Sequence, residues 1–151
     1  MNTTDKILPE LDLDKIVKKT ANKNGWSQEQ ADIIEKKYRG FLKLNQDYAG
    51  TEFAPDPEID ELWHAHILDT QKYIADCGNL FGYFLHHEPS YKEPNEPNIS
   101  LADASKRTQA LFRENFGIDL SFGIGNDAIA KTCGSQTRCR TKIKGNQILA
   151  A

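Results

Sequence analysis

Hydrophobic residues recur three or four positions apart over most of the chain, which is the pattern of amphipathic helices. The spacing predicts a first helix that follows Asp12 as N-cap and stops at Gly25. A second helix begins at the capping-box sequence of residues 27–30 and runs to about Asn45. The N-terminal third of the chain is therefore predicted to be two helices joined by a short turn.

A third helix is predicted from Asp56 and Pro57, an N-cap followed by a first-turn proline. One apolar stripe runs along it and is expected to face the core: Ile59, Trp63, Ile67, Thr70, Ile74 and Cys77. A fourth helix opens at Ser100 and ends near Gly117. Between the third and fourth helices, residues 87–98 are rich in Pro, Asn and Glu and are predicted to be a loop.

These elements predict an all-α protein. We expect a small, single-domain helical bundle of about four helices over residues 1–121, followed by an irregular, basic, cysteine-containing and flexible tail over residues 122–151. A chain of 151 residues is long enough to bury a core of its own. Neither a metal ion nor a disulfide is therefore required merely for folding.

Charge is distributed unevenly. Residues 128–151 hold five basic side chains and no acidic one, so with a net charge of −3 for the whole chain the rest carries −8. Nucleic-acid binding is disfavoured, because no aromatic residues stand between the basic ones and the acidic body would repel phosphate. The basic tail is predicted to contact the acidic body of its own chain, to be a solvated terminus, or to contact a protein or peptide partner.

Membrane association is not expected, since no apolar run approaches the roughly 20 residues that span a bilayer. Residues 1–6 also lack the basic start and apolar stretch of a signal peptide. The predicted location is the cytoplasm. There the three cysteines would remain thiols.

All four histidines fall within one short stretch, as His64, His66, His86 and His87. Imidazole is the commonest transition-metal ligand in proteins, so this crowding indicates a site. On a regular helix His64 and His66 point about 160° apart. They are therefore not expected to bind one ion together.

The simplest metal site joins His66, facing inward, with His86 or His87 around Zn, Fe or Cu, while a bond between His64 and Asp60 supports it. Further donors would come from Asp69, Tyr73, Cys77 or the tail thiols Cys133 and Cys139. The alternative is structural. In that case His66 is a hydrogen-bonded core residue, His64 caps Asp60, and the other two histidines are an exposed pair.

Two function classes follow from the cysteines and histidines. The first is a transition-metal-binding protein, and whether its metal is catalytic stays open. The second is a non-enzymatic interaction protein or modified-peptide precursor whose tail is the functional part. Cys133 and Cys139 are separated more widely than in most zinc knuckles, and neighbouring arginines favour their thiolates. Cys77, on the core stripe, is a small buried hydrophobe, a further ligand or a reactive thiolate.

The histidine segment also resembles a known family. The motifs are Asp60, Trp63-His64-x-His66, Leu68, Asp69-Thr70, Tyr73, Asp76-Cys77, Phe81-Gly82 and His86-His87-x-Pro89, preceded by Leu8-Pro9-Glu10-Leu11-Asp12, Gly25-Trp26-Ser27 and Tyr38-Arg39-x-Phe41-Leu42. Over about residues 8–117 they resemble the short bacterial members of the glycine-rich domain-containing-protein-like family. The resemblance implies a helical region that makes up most of the chain. It implies no particular activity, because that family is largely uncharacterised.

Overall fold

The computed structural model describes residues 7–89, 99–122 and 139–142. In chain order the elements are α1 (Asp14–Asn24), α2 (Gln28–Asp47), α3 (Pro57–Leu68), α4 (Thr70–Phe81), β1 (His86–Pro89), α5 (Ile99–Phe116) and β2 (Cys139–Lys142). The predicted all-α class is confirmed. The described residues hold five helices rather than about four, because the predicted third helix is two helices.

Local signals fix most helix ends close to where they were predicted, although the N-cap of α1 is Leu13 and not Asp12. The Ser27 hydroxyl accepts the Gln30 amide at 3.1 Å, and the Gln30 side chain accepts the Ser27 amide at 2.9 Å, which completes the capping box that opens α2. Asp56 accepts the Ile59 amide at 2.8 Å at the start of α3. Gly25 ends α1 with a φ of 68°, a left-handed conformation that glycine adopts readily.

The predicted third helix breaks at Asp69, where the backbone leaves the helical region with ψ of 75°. The Asp69 side chain accepts the Lys72 amide and so caps a new helix. The predicted core stripe was therefore wrong at Thr70 and Ile74, which are exposed, Ile74 to 47%. Its last member, Cys77, is buried as predicted. α4 also buries Tyr73, because the break changes which of its side chains face the core.

The core centres on α2, which contacts α1, α3, α4 and α5. Its largest fully buried side chains include Trp63, Tyr38, Tyr73, Phe41, Phe53 and Phe112. α5 approaches α2 closely at Gly40, where a Cβ atom would lie 3.1 Å from the Phe116 ring and 3.2 Å from the Phe112 ring. The absence of a side chain at Gly40 permits this close packing.

A buried ion pair holds the start of α3. The Lys37 ammonium pairs with Asp56 and, at 2.8 Å, with Glu58, while the Ser121 amide donates to Asp56 at 3.2 Å. Burial alone would lower the pKa of Lys37, but the two carboxylates hold it above its ordinary value. The beginning of α3 is thus tied both to α2 and to the segment that follows α5.

The two strands pair antiparallel, with His87 opposite Thr141 and Pro89 opposite Cys139. The predicted loop from residue 87 onward was wrong at its start, because residues 87–89 belong to β1. Residues 139–142 of the predicted irregular tail form β2. The remainder of that tail lies outside the described residues. The domain boundary at residue 121 and the flexibility of the tail stay predictions.

None of the helices in the described ranges is both long and apolar enough to cross a membrane. The cytoplasmic location and the partner predictions are not tested by the fold.

Candidate metal centre

Three donor atoms converge between α3 and β1. Asp60 and His64 stand one turn apart on α3, and β1 brings His87 alongside them. The two histidine Nε2 atoms lie 2.7 Å apart, and they lie 3.0 Å (His87) and 3.4 Å (His64) from Asp60 Oδ1. Tetrahedral zinc with bonds of about 2.0–2.1 Å places its ligand atoms about 3.3 Å apart. In the described part of the chain, these three residues form the one group that could hold a metal ion.

Hydrogen bonds among Asp60, His64 and His87 do not account for all three short distances between their donor atoms. Each neutral imidazole Nε2 either carries one proton or offers one lone pair. If His64 donates to His87, the lone pair of Asp60 faces a nitrogen that has no proton. If His87 donates to Asp60 instead, its one proton cannot also make a linear bond to His64. One cation placed between the three atoms would accept a lone pair from each of them.

Asp60 needs positive charge nearby. Its side chain is only 1% exposed, and its ion pairs among the described residues are with His64 and His87. Within those residues its second oxygen, Oδ2, is buried and has no hydrogen-bond partner. Burial, the largest influence, lowers the pKa of His64 despite the opposing effect of Asp60, which favours the neutral form of this ring. A neutral ring can bind a metal but cannot neutralise the buried carboxylate.

Aromatic residues position the strand that carries His87. The Trp63 indole, fully buried on α3, packs 4.4 Å from the His87 ring between ring centres. The Trp63 Nε1–H donates to the Tyr73 hydroxyl at 3.0 Å, and that hydroxyl donates to the Leu85 carbonyl just before β1. α3, α4 and the start of β1 are thereby joined in one buried chain of contacts.

A family model described as UCP032817-like matches residues 5–112, more than two thirds of the 151 residues. The chain belongs to the UCP032817-like family. No curated protein and no solved structure matches it. The resemblance to the glycine-rich domain-containing-protein-like family was wrong, because the matching model is a different one. The shared motifs are short, and short motifs carry a high risk of false assignment. The UCP032817-like family is uncharacterised, so membership assigns no activity.

His66 in this UCP032817-like chain lies outside the three-residue cluster. Its Nε2 lies 2.8 Å from Asp76 Oδ2, and its Nδ1 lies 2.7 Å from the Tyr38 hydroxyl. Since a carboxylate only accepts, Nε2 carries the proton, and Nδ1 accepts from Tyr38. Burial, the main influence, lowers the pKa of His66. Asp76 is also paired with Lys72 at 3.0 Å. Both nitrogens of this histidine already have protein partners.

The other predicted donors are also placed elsewhere. Asp69 is exposed at the junction of α3 and α4, and Tyr73 is held by Trp63 and Leu85. Cys77 is a buried thiol whose pKa is raised, above all by burial, which opposes thiolate formation. His86 lies on β1 with its ring 4.8 Å from Phe84. Cys133 lies outside the described residues, and for Cys139 the structure describes the backbone of β2 alone.

Sequence reasoning missed three contributors. Tyr38 and Asp76 were not recognised as the partners of His66, and β2 was not recognised as the partner of β1. Asp60 was assigned to support His64, whereas it lies in the cluster itself. The Asp69-Thr70 sequence is an N-cap signal that would have revealed the break in the third helix. With that break, Asp76 could have been placed on a separate helix that faces His66.

Proposed function

We propose that this UCP032817-like protein binds one divalent transition-metal ion through Asp60 Oδ1, His64 Nε2 and His87 Nε2. The observation that carries the proposal is the convergence of three donor atoms, each within 3.4 Å of the others, around a buried carboxylate. Two imidazoles and one carboxylate are a donor set used by Zn²⁺ and by non-haem Fe²⁺. The absence of a thiolate from the set disfavours Cu⁺.

Three protein ligands would leave at least one coordination position for water or a substrate atom. Structural zinc sites usually fill all four positions with protein side chains, whereas catalytic sites keep one open. The His64 side chain is 37% exposed, so solvent reaches one side of the cluster. A zinc ion held there by Asp60, His64 and His87 would supply Lewis acidity and activate water for attack on a substrate. Metal-assisted hydrolysis is therefore the catalytic class that the proposal favours.

The test begins with metal analysis of protein purified without a histidine tag. We expect about one Zn or Fe per chain, and tight binding when Zn²⁺ is returned to chelator-treated protein. Loss of a residue that only supports a metal ligand typically weakens metal binding by roughly 10- to 100-fold. We expect a larger loss of Zn²⁺ affinity in each of the variants His64→Asn, His87→Asn and Asp60→Asn.

Two histidine variants serve as matched controls. His86→Asn changes the neighbouring histidine of β1, and His66→Gln changes the buried histidine of α3. Both should keep the metal content of the wild type. If a His64→Asn, His87→Asn double variant binds Zn²⁺ as well as the wild type, the proposed site is wrong.

A further inference from the structure

His87 differs from the other two donors of the candidate metal centre because it is not on α3. It stands on β1, a strand of four residues. Successive side chains of a strand point to opposite faces, so His86 and His87 face opposite sides of the ribbon. A slip of β1 by one residue would turn His87 away from α3 and bring His86 toward it. The register of β1 therefore decides which histidine meets Asp60 and His64.

That register is set by pairing with β2, in which His87 lies opposite Thr141 and Glu88 lies opposite Arg140. A two-stranded ribbon of this length is marginal by itself in water. It needs anchors on the body of the protein. β1 is anchored through Leu85 before the strand and His87 within it, and β2 contacts α5.

We infer that β2 is a positioning element of the metal centre. By fixing the register of β1 it places His87 Nε2 beside His64 and Asp60, and a bound metal ion in turn stabilises the pairing of β1 with β2. This inference rests on the proposed function. By linkage, the factor by which strand pairing strengthens metal binding equals the factor by which the metal strengthens strand pairing.

Hydrogen exchange of the wild-type, full-length protein tests the coupling without any substitution. Backbone amides of residues 139–142 should exchange about 10-fold more slowly, or slower still, when Zn²⁺ is added to chelator-treated protein. The matched control is His64→Asn, which alters neither strand. In that variant Zn²⁺ should leave the exchange of residues 139–142 unchanged.

A pair of variants tests the reverse direction. Consecutive residues of a strand direct their amides alternately toward and away from the partner. Replacing both Arg140 and Thr141 by proline therefore removes an amide that faces β1, whichever of the two it is. The control replaces the same two residues by alanine, which removes the side chains and keeps both amides. We expect the proline pair to weaken Zn²⁺ binding about 10-fold relative to the alanine pair.

The outcomes separate the two proposals. If the wild type binds no metal, the proposed function fails and this inference fails with it. If the wild type binds Zn²⁺ while exchange at residues 139–142 is unchanged, the site stands and β2 is not coupled to it. If the proline pair loses its helical circular dichroism, the variant is unfolded. The wild-type exchange experiment, which needs no variant, then decides whether β2 is coupled to the site.

Discussion

Two histidines on one turn of α3 have opposite surroundings. His66 is 1% exposed, and both of its ring nitrogens are occupied, one by Tyr38 and one by Asp76. His64 is partly exposed, and its Nε2 meets a second imidazole and a carboxylate oxygen at one point. The first arrangement is complete with protein atoms alone. In the second, one Nε2 proton on each ring cannot satisfy all three short distances.

The difference teaches that a buried histidine beside an aspartate does not by itself mark a metal site. What distinguishes the cluster around His64 is unsatisfied bonding capacity, including the buried Oδ2 atom of Asp60 that lacks a partner among the described residues. Natural interiors rarely leave such groups unpaired. The two regions should therefore respond in different ways to mutation and to metal removal.

The largest effect should come from Trp63, which contacts both regions. It packs on His87 and donates to Tyr73, whose ring centre lies 4.9 Å from that of His66. Trp63→Ala should lower the free energy of unfolding by about 3–5 kcal/mol, since it removes a fully buried indole. Chemical denaturation measures this. Trp26→Ala, at a partly buried position, should lower it by less. A Trp63→Ala protein as stable as the wild type would contradict the packing described for α3.

The next effect separates the two histidines. His66→Leu should lower the free energy of unfolding by about 1–3 kcal/mol, because it leaves Tyr38 and Asp76 without their partner. Its Zn²⁺ affinity should stay near that of the wild type. His66→Gln, which can still donate and accept, should recover part of the stability.

His64→Ala should show the reverse pattern. It should lose Zn²⁺ affinity while chelator-treated protein keeps most of its stability, because the side chain is partly exposed. Isothermal titration and denaturation of the same samples provide both readings. If His66→Leu loses metal as His64→Ala does, the separation between the two regions is wrong.

How much of this arrangement was predictable depends on the range of the interactions. Helix starts at Ser27 and Asp56 were predicted because a cap and its helix are adjacent in sequence. The division into α3 and α4 was missed because apolar residues continue through Asp69 at helical spacing. The pairing of residues 86–89 with 139–142 has no local signal, since four residues are too few to show a period.

The sequence indicated the segment that holds the candidate site but not the geometry of the site. The crowding of histidines indicated the segment, and helical geometry correctly separated His64 from His66. The predicted ligand pairing of His66 with His86 or His87 is not what the structure brings together. The choice among these histidines depends on the register of β1, which the sequence near the histidines does not specify.

A third effect is the change of stability with pH, which should be smaller than the changes expected for the Trp63 and His66 variants. The pKa values of His64 and His66 are both lowered, chiefly by burial, from an ordinary value of 6.5. The unfolded state then binds more protons than the folded state below pH 6.5, so the free energy of unfolding should fall as the pH decreases through that value. Denaturation of chelator-treated protein above and below pH 6.5 measures it. His66→Gln should reduce the pH dependence of the free energy of unfolding. A free energy of unfolding that rises as the pH decreases would contradict the lowered pKa values of His64 and His66.

The smallest effect on stability is expected at Asp60. Asp60→Asn removes a buried charge and supplies an amide that can donate to His87. The free energy of unfolding of the chelator-treated protein should therefore change by no more than about 0.5 kcal/mol. The stabilisation that Zn²⁺ gives the wild type should nevertheless disappear. Melting temperatures with and without Zn²⁺ provide this comparison. Asp76→Asn is the matched variant and should keep the response to Zn²⁺.

The sequence distance between the two strands has a consequence for folding order. The helices are built from local contacts and are expected to form early, whereas the ribbon joins residue 89 to residue 139 and must close a long loop. Residues 139–142 are also synthesised after all five helices described here. During synthesis, α3 would therefore present Asp60 and His64 before β2 exists to hold His87 in register. We expect the centre to mature last, after the helical body has already collapsed.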